Sequence, residues 1–226
     1  MKKNILRNNL FLLIMSINKD ELNTGDVLLF HHVSNYKNCY NCFFTCFTGL
    51  IQCCTKSKYS HVGMIVRDPT FTNPPMKGLY VLESSFETYP DVEDHKYKLG
   101  VELEEFDKVI KNANQDIYVR KLNCKRDGIF NNILKDVHHV VHNKPYDVLP
   151  KDWIDGIFQI YSGKNAQSTK QFWCSALVAY IYVRWGFLPA ETPWSLVSPK
   201  MFGTEKMNGY HLEFKNCILD KEIKIN

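Results

Sequence analysis

Three residues carry the side-chain types from which thiol-based acyl chemistry can be assembled: Cys174, His61 and Glu83. That chemistry needs a sulfur nucleophile, an imidazole that exchanges protons with the attacking and leaving groups, and a polar group that holds the imidazole. Cys174 stands in Gln171-Phe172-Trp173-Cys174-Ser175-Ala176-Leu177-Val178, at the head of a segment with helical character. A thiol at a helix N-terminus meets the positive end of the macrodipole and unsatisfied backbone N–H groups, which favour thiolate and offer donors to an oxyanion. His61 lies at the mouth of an apolar strand, Tyr59-Ser60-His61-Val62-Gly63-Met64-Ile65-Val66, and Glu83 ends the next one, in Tyr80-Val81-Leu82-Glu83-Ser84-Ser85. If those strands pair as antiparallel neighbours, the two side chains sit on adjacent backbone.

Each residue also has a plainer role open to it. A Cys heading an apolar helix is more often a small core residue, a lone strand His is usually structural, and a Glu at a strand end is usually solvated. The case for chemistry rests on the three types occurring together in these positions.

The elements that must position them follow from the pattern. Thr24-Gly25-Asp26 signals a turn before a buried strand at Val27–Phe30, and further strands are predicted at His61–Val66, Leu79–Glu83, Gly100–Glu105 and Ile117–Leu122. The period then changes. Phe130, Ile133, Leu134, Val137 and Val141 fall at helical spacing behind an Asp127 N-cap, a short helix is predicted over Asp152–Tyr161, and another over Trp173–Trp185, stopped by Gly186 and Pro189. The tail from Tyr210 to Ile225 reads as one or two edge strands. Strands in the first half and helices in the second predict an α+β fold, an antiparallel sheet or half-barrel packed against helices.

With 226 residues, 45% apolar and 23% charged, the chain can bury one substantial core and shows no linker between two units. A single domain over 21–226 is expected, behind a flexible extension at 1–20. The basic start and short apolar run Leu10–Met15 imitate a signal peptide, but the run is too short and lacks a cleavage site, so an extension, weak membrane contact and secretion all stay open. A net charge of +4 spread over the chain argues against nucleic acid as a partner. The eight cysteines do not read as a secreted disulfide framework, since Cys39, Cys42, Cys46, Cys53 and Cys54 crowd together and Cys124, Cys174 and Cys217 are isolated. Reduced thiols and an intracellular, cytoplasmic protein are expected.

The residues around the three candidates resemble a known family. Gly25-Asp26-Val27-Leu28-Leu29-Phe30, Ser60-His61-Val62-Gly63-Met64-Ile65, Val81-Leu82-Glu83-Ser84 and Cys174-Ser175-Ala176-Leu177-Val178 are similar, in this order, to the circularly permuted papain-like hydrolases of the NlpC-type superfamily. That branch includes YiiX-like and poxvirus-type proteins and, distantly, lecithin retinol acyltransferases. In ordinary papain-like enzymes the Cys precedes the His, whereas here the order is His, Glu, Cys. The resemblance spans about residues 24 to 200, with weaker matches at Gly100–Leu103, Lys144–Asp147 and Val197–Lys200. It implies Cys174 as nucleophile, His61 as general base and acid, Glu83 as the group that orients the imidazole, and no metal or organic cofactor. It further implies a thioester intermediate and a small acylated or peptide substrate carrying an amide or ester, with hydrolysis and acyl transfer both open. The alternative is a non-catalytic lipid- or membrane-associated binding module on the same fold.

Other clusters have ordinary roles open to them. The Cys39–Cys54 segment, with His31 and His32 nearby, has one CxxC pair but no second, and its interleaved Phe43, Phe44 and Phe47 fit an apolar flap that contacts an acyl chain or membrane better than a zinc site. His138 and His142 have metal-binding spacing but lack the intervening Glu of a metalloprotease helix, so partly buried, hydrogen-bonded histidines are expected. The Arg120–Arg126 stretch reads as a solvated strand end rather than a phosphate site. Trp153, Trp173, Trp185 and Trp194 read as core anchors.

Overall fold

A computed structural model describes residues 18–31, 58–86, 90–113, 115–146, 167–204 and 211–225. The short apolar runs form strands β1 (Val27–His31), β2 (Tyr59–Arg67), β3 (Leu79–Phe86), β4 (Leu99–Glu105) and β5 (Asp116–Arg120), with β8 (Ile223–Lys224) from the tail. They make one six-stranded sheet in the order β4-β3-β2-β1-β5-β8, and every neighbouring pair is antiparallel.

Both faces of this sheet are covered, which explains why the strands read as nearly continuous apolar runs. Val27, Leu29, Val62, Met64, Leu82 and Leu103 enter the larger core, while Leu28, Phe30, Ile65, Val81, Ile117 and Val119 enter a smaller one. The larger core is closed by α2 (Gly128–Val141) and α3 (Cys174–Arg184). Asp127 caps α2 by accepting from the N–H groups of Ile129 (3.0 Å) and Phe130 (3.1 Å), and Phe130, Leu134, Val137 and Val141 are its buried stripe. All nine residues from Cys174 to Tyr182 are buried in α3, which packs against β2 and β3, and Gly186 ends it at a positive φ of 74°. The architecture is α+β with an antiparallel sheet, as expected.

The smaller core is closed by a helix that spacing does not predict. It is α1 (Phe106–Asn112), a short segment that continues β4 without a turn signal and buries Phe106 against the sheet. The strand expected over Ile117–Leu122 also breaks at Lys121. The Asp26 carboxylate accepts from the Leu122 N–H at 2.9 Å and draws the chain away from β1, so Leu122–Asn123 becomes β6 and pairs with β7 (Ile218–Leu219).

The Arg120–Arg126 stretch corrects the expectation of a solvated strand end. Arg120 is buried, donating to the carbonyls of Asp220 (2.6 Å), Phe202 (2.6 Å) and Leu219 (2.8 Å). Arg126 donates to the Thr24 carbonyl at 2.7 Å and pairs with Asp26. Both guanidinium groups fasten the tail and the first turn to the sheet, using the fixed fork of donors that only Arg offers. Trp173, Trp185 and Trp194 are buried as expected. The Cys39–Cys54 segment, the Asp152–Tyr161 helix, Trp153 and most of the 1–20 extension lie outside the described residues. Among the described residues no helix is long and apolar enough to cross a membrane.

Candidate active site

The three residues singled out by type come together, although they are far apart in the chain. The antiparallel pairing of β2 and β3 ends at Met64 and Leu82, which brings His61 and Glu83 to the same end of the pair, and the His61 Nε2 to Glu83 Oε2 distance is 2.9 Å. Glu83 is buried and His61 is mostly covered, with a side chain 20% exposed. Cys174 is the first residue of α3, after Trp173 as N-cap, and is buried. No side chain caps this helix start, and the first ladder bond runs from the Leu177 N–H to the Trp173 carbonyl. The N–H groups of Cys174, Ser175 and Ala176 therefore have no partner within the helix.

The imidazole is the hinge of the arrangement. Burial disfavours its charged form, but the negative charge of Glu83, a charge and hydrogen bond from Cys174, and the Glu83 hydrogen bond together outweigh it. The outcome is a His61 pKa raised well above the ordinary histidine value. A sulfur and a carboxylate thus flank one imidazole that is held ready to carry a proton, the arrangement that proton transfer to and from a thiol requires.

Several contacts that the sequence does not advertise fasten the start of α3 to its surroundings, the strand that carries Glu83 among them. Ser84 Oγ donates to the Phe172 carbonyl at 2.6 Å, and the Phe172 N–H donates to the Pro145 carbonyl at 3.1 Å. Tyr146 in turn donates from its N–H to the Leu99 carbonyl at 3.0 Å, so the approach to Cys174 is tied to both β3 and β4. Behind the helix start, Ser175 Oγ donates to the Val197 carbonyl at 2.5 Å. Ser84 and Ser175 each follow a candidate residue, and their hydroxyls are the one signal that could have marked them.

No family model and no curated protein matches this chain. Among solved structures, the crystal structure of metalloprotein yiiX from Escherichia coli O157:H7 is similar to it, with a TM-score of 0.42 and 20% identity. The match covers 72% of this chain and 65% of that one, so the chain spans slightly under two thirds of the length of yiiX.

Two further features surround the His61–Glu83 pair. Glu102 is the direct cross-strand partner of Glu83, and with Glu104 the three buried carboxylates lie within 4.8 Å of one another. Any charge on that group adds to that of Glu83 in favouring the imidazolium. Gly63 leaves the space in which Glu83 lies: a Cβ there would stand 2.8 Å from Val81 Cγ1 and 3.1 Å from Glu83 Oε2. Gly63→Ala is expected to push the carboxylate off the imidazole, at an overpacking cost of about 1–3 kcal/mol. The measurement is the His61 titration by NMR: its pKa should fall in the variant, and an unchanged titration would mean that the strand absorbs the methyl group without moving Glu83.

Proposed function

We propose that the chain is a cysteine hydrolase or acyl-group transferase of permuted papain-like fold, which attacks an amide or ester carbonyl through a thioester on Cys174. The observation that carries this is the His61 imidazole flanked by the Glu83 carboxylate and a Cys174 that opens a helix. Cys174 Sγ forms the new bond to the acyl carbon as His61 takes or already holds the thiol proton. His61 then gives that proton to the leaving nitrogen or oxygen, and the bond to the leaving group breaks. In the second half His61 removes a proton from water or an acceptor, which attacks the thioester and releases the sulfur. Glu83 keeps the ring oriented and favours its charged form throughout. The Cys174 backbone N–H, which has no partner within the helix, is the candidate donor to the oxyanion formed in each half.

The His, Glu, Cys order and the four matching segments support the same reading. The substrate is proposed to be an acylated amino acid, lipid or peptide, and the aromatic residues between 39 and 54 favour an acyl chain or membrane contact. Cytoplasmic location is part of the same proposal.

Brief treatment with iodoacetamide at mildly acidic pH, followed by peptide mass mapping, tests the mechanism. Cys174 is expected to be carboxamidomethylated first, and the preference should vanish in His61→Ala. Two competing thiols are handicapped, since burial raises the pKa of Cys124 and pushes that of Cys217 up to about 11. Because the Cys174 sulfur is covered, the reagent also reports whether the site opens enough for a substrate. Uniform slow labelling of all thiols would instead favour a non-catalytic lipid- or membrane-binding module.

A further inference from the structure

A second cluster of ligand-type side chains, separate from Cys174, His61 and Glu83, lies where α2 meets the segment between β3 and β4. His138 and His142 are one helical turn apart on α2, with ring centroids 5.0 Å apart. Glu93 approaches from the other side: its Oε2 is 2.8 Å from His138 Nε2 and 3.4 Å from His142 Nδ1. These three donor atoms all lie within 4.8 Å of one another. Spacing alone shows only the histidine pair, because the third member comes from a loop 45 residues earlier.

The donors are held in place by contacts that do not involve one another. The Val92 N–H donates to the Leu103 carbonyl at 3.0 Å, which fastens the loop to β4, and the Glu93 N–H donates to Asp91 Oδ1 at 2.7 Å. Asp91 is fully buried and bonded to Lys98 Nζ at 2.8 Å, so the loop is braced without the histidines. On the helix side Phe71 stacks on the His138 ring, with centroids 4.2 Å apart and planes at 29°. Side-chain exposure grades from 10% at His138 and 12% at Glu93 to 30% at His142, so the cluster is closed inward and open on the His142 side.

We propose that Glu93, His138 and His142 form a binding site for a divalent transition metal, zinc being the best match, which clamps the β3–β4 segment to α2. Two imidazoles and a carboxylate are a donor set that zinc accepts, with a fourth, solvent-side position left for water. Zinc bonds of about 2.0–2.1 Å in a tetrahedron put ligand atoms about 3.3 Å apart. The Glu93–His142 separation already matches, and the Glu93–His138 pair needs to open by roughly half an ångström, a side-chain adjustment. The residues between the histidines, His139-Val140-Val141, include no carboxylate to act as a general base. The metal is therefore assigned a structural role, independent of the proposal for Cys174.

The test uses the full chain, stripped with chelator and titrated with zinc chloride, beside Glu93→Gln, His142→Ala and the double variant His138→Ala/His142→Ala. Because the thiols also bind zinc, the readouts must locate the ion. In the wild-type chain the side-chain nitrogen signals of His138 and His142 should shift together on adding zinc, and the melting temperature should rise with zinc concentration. Each variant should lose one equivalent of bound zinc or bind it at least ~100-fold more weakly, and lose the rise in melting temperature. His142→Ala removes the most exposed member, and a cooperative melt without zinc shows that it folds. If zinc moves neither imidazole signal, or the variants match the wild type in stoichiometry and affinity, the trio is only a hydrogen-bonded strut and the proposal fails.

Discussion

Cys174→Ala is expected to abolish turnover of whichever acyl-amide or acyl-ester probe the wild-type chain cleaves, a loss of at least ~10³-fold. In the proposed mechanism the sulfur is the atom that bonds to the acyl carbon, and neither His61 nor Glu83 can replace it. Cys174→Ser should be nearly as inactive, because a hydroxyl beside the same imidazole is far harder to ionise than a thiol. Neither change should cost much stability. The side chain is small and buried at the first position of α3, and removing one atom there costs about 1 kcal/mol, far below what would unfold a domain. Turnover by the wild-type chain, none by the variants, and an acyl adduct mapped to the peptide containing Cys174 form the expected result. Equal cleavage by wild type and Cys174→Ala would sink the mechanism outright.

The strands near the candidate site were legible because each is short, apolar and bounded by turn residues. Val27–Phe30 and His61–Val66 appear within the observed β1 and β2, and Asp127 starts α2 where its side chain was expected to. The pairing of His61 with Glu83 was also readable, since an apolar strand followed closely by another predicts antiparallel neighbours. What escaped were features set by three-dimensional contacts. Phe106–Asn112 lacks a capping side chain, and its helix is stabilised by Phe106 reaching the smaller core. Lys121 breaks a strand because of a carboxylate 95 positions earlier, at Asp26, and Arg120 is drawn inward by carbonyls of a tail that the local sequence cannot reveal. Glu93 belongs to the same class, since nothing in its own loop points to His138.

The histidine pair on α2 shows how the same residues change meaning once their surroundings are known. His138 is buried and hydrogen-bonded, as expected, while His139 between the pair is exposed. The spacing itself suits a metal, and only the missing motif glutamate argues against a metalloprotease helix. A carboxylate supplied through space removes that objection for binding but not for catalysis. The two proposed roles therefore fall on separate parts of the fold: the Cys174 group lies at a helix start beside the sheet, and the group with two imidazoles lies on a helix flank.

Glu83→Gln should alter the pH dependence of the site more than its shape. Glutamine keeps the size and one hydrogen bond of the carboxylate but removes the charge that opposes the burial of the imidazolium. In the wild-type chain His61 titrates well above its ordinary value, so the alkaline limb of kcat/KM should lie above pH 6.5 and follow loss of the imidazolium. In Glu83→Gln burial acts without that compensation, and the limb should move to lower pH, with activity at pH 7 reduced about 10–100-fold. The sign for stability follows from the same shift. A folded-state pKa above the unfolded one gives stabilisation that is complete below about pH 6.5 and is lost as pH rises through the folded value. The wild-type advantage over Glu83→Gln in denaturant should therefore be larger at pH 6 than at pH 9. NMR titration of His61 in both proteins checks the cause directly. If the His61 titration and the alkaline limb stay where they are in Glu83→Gln, the carboxylate neither charges nor orients the imidazole, and its place beside the ring is only a matter of packing.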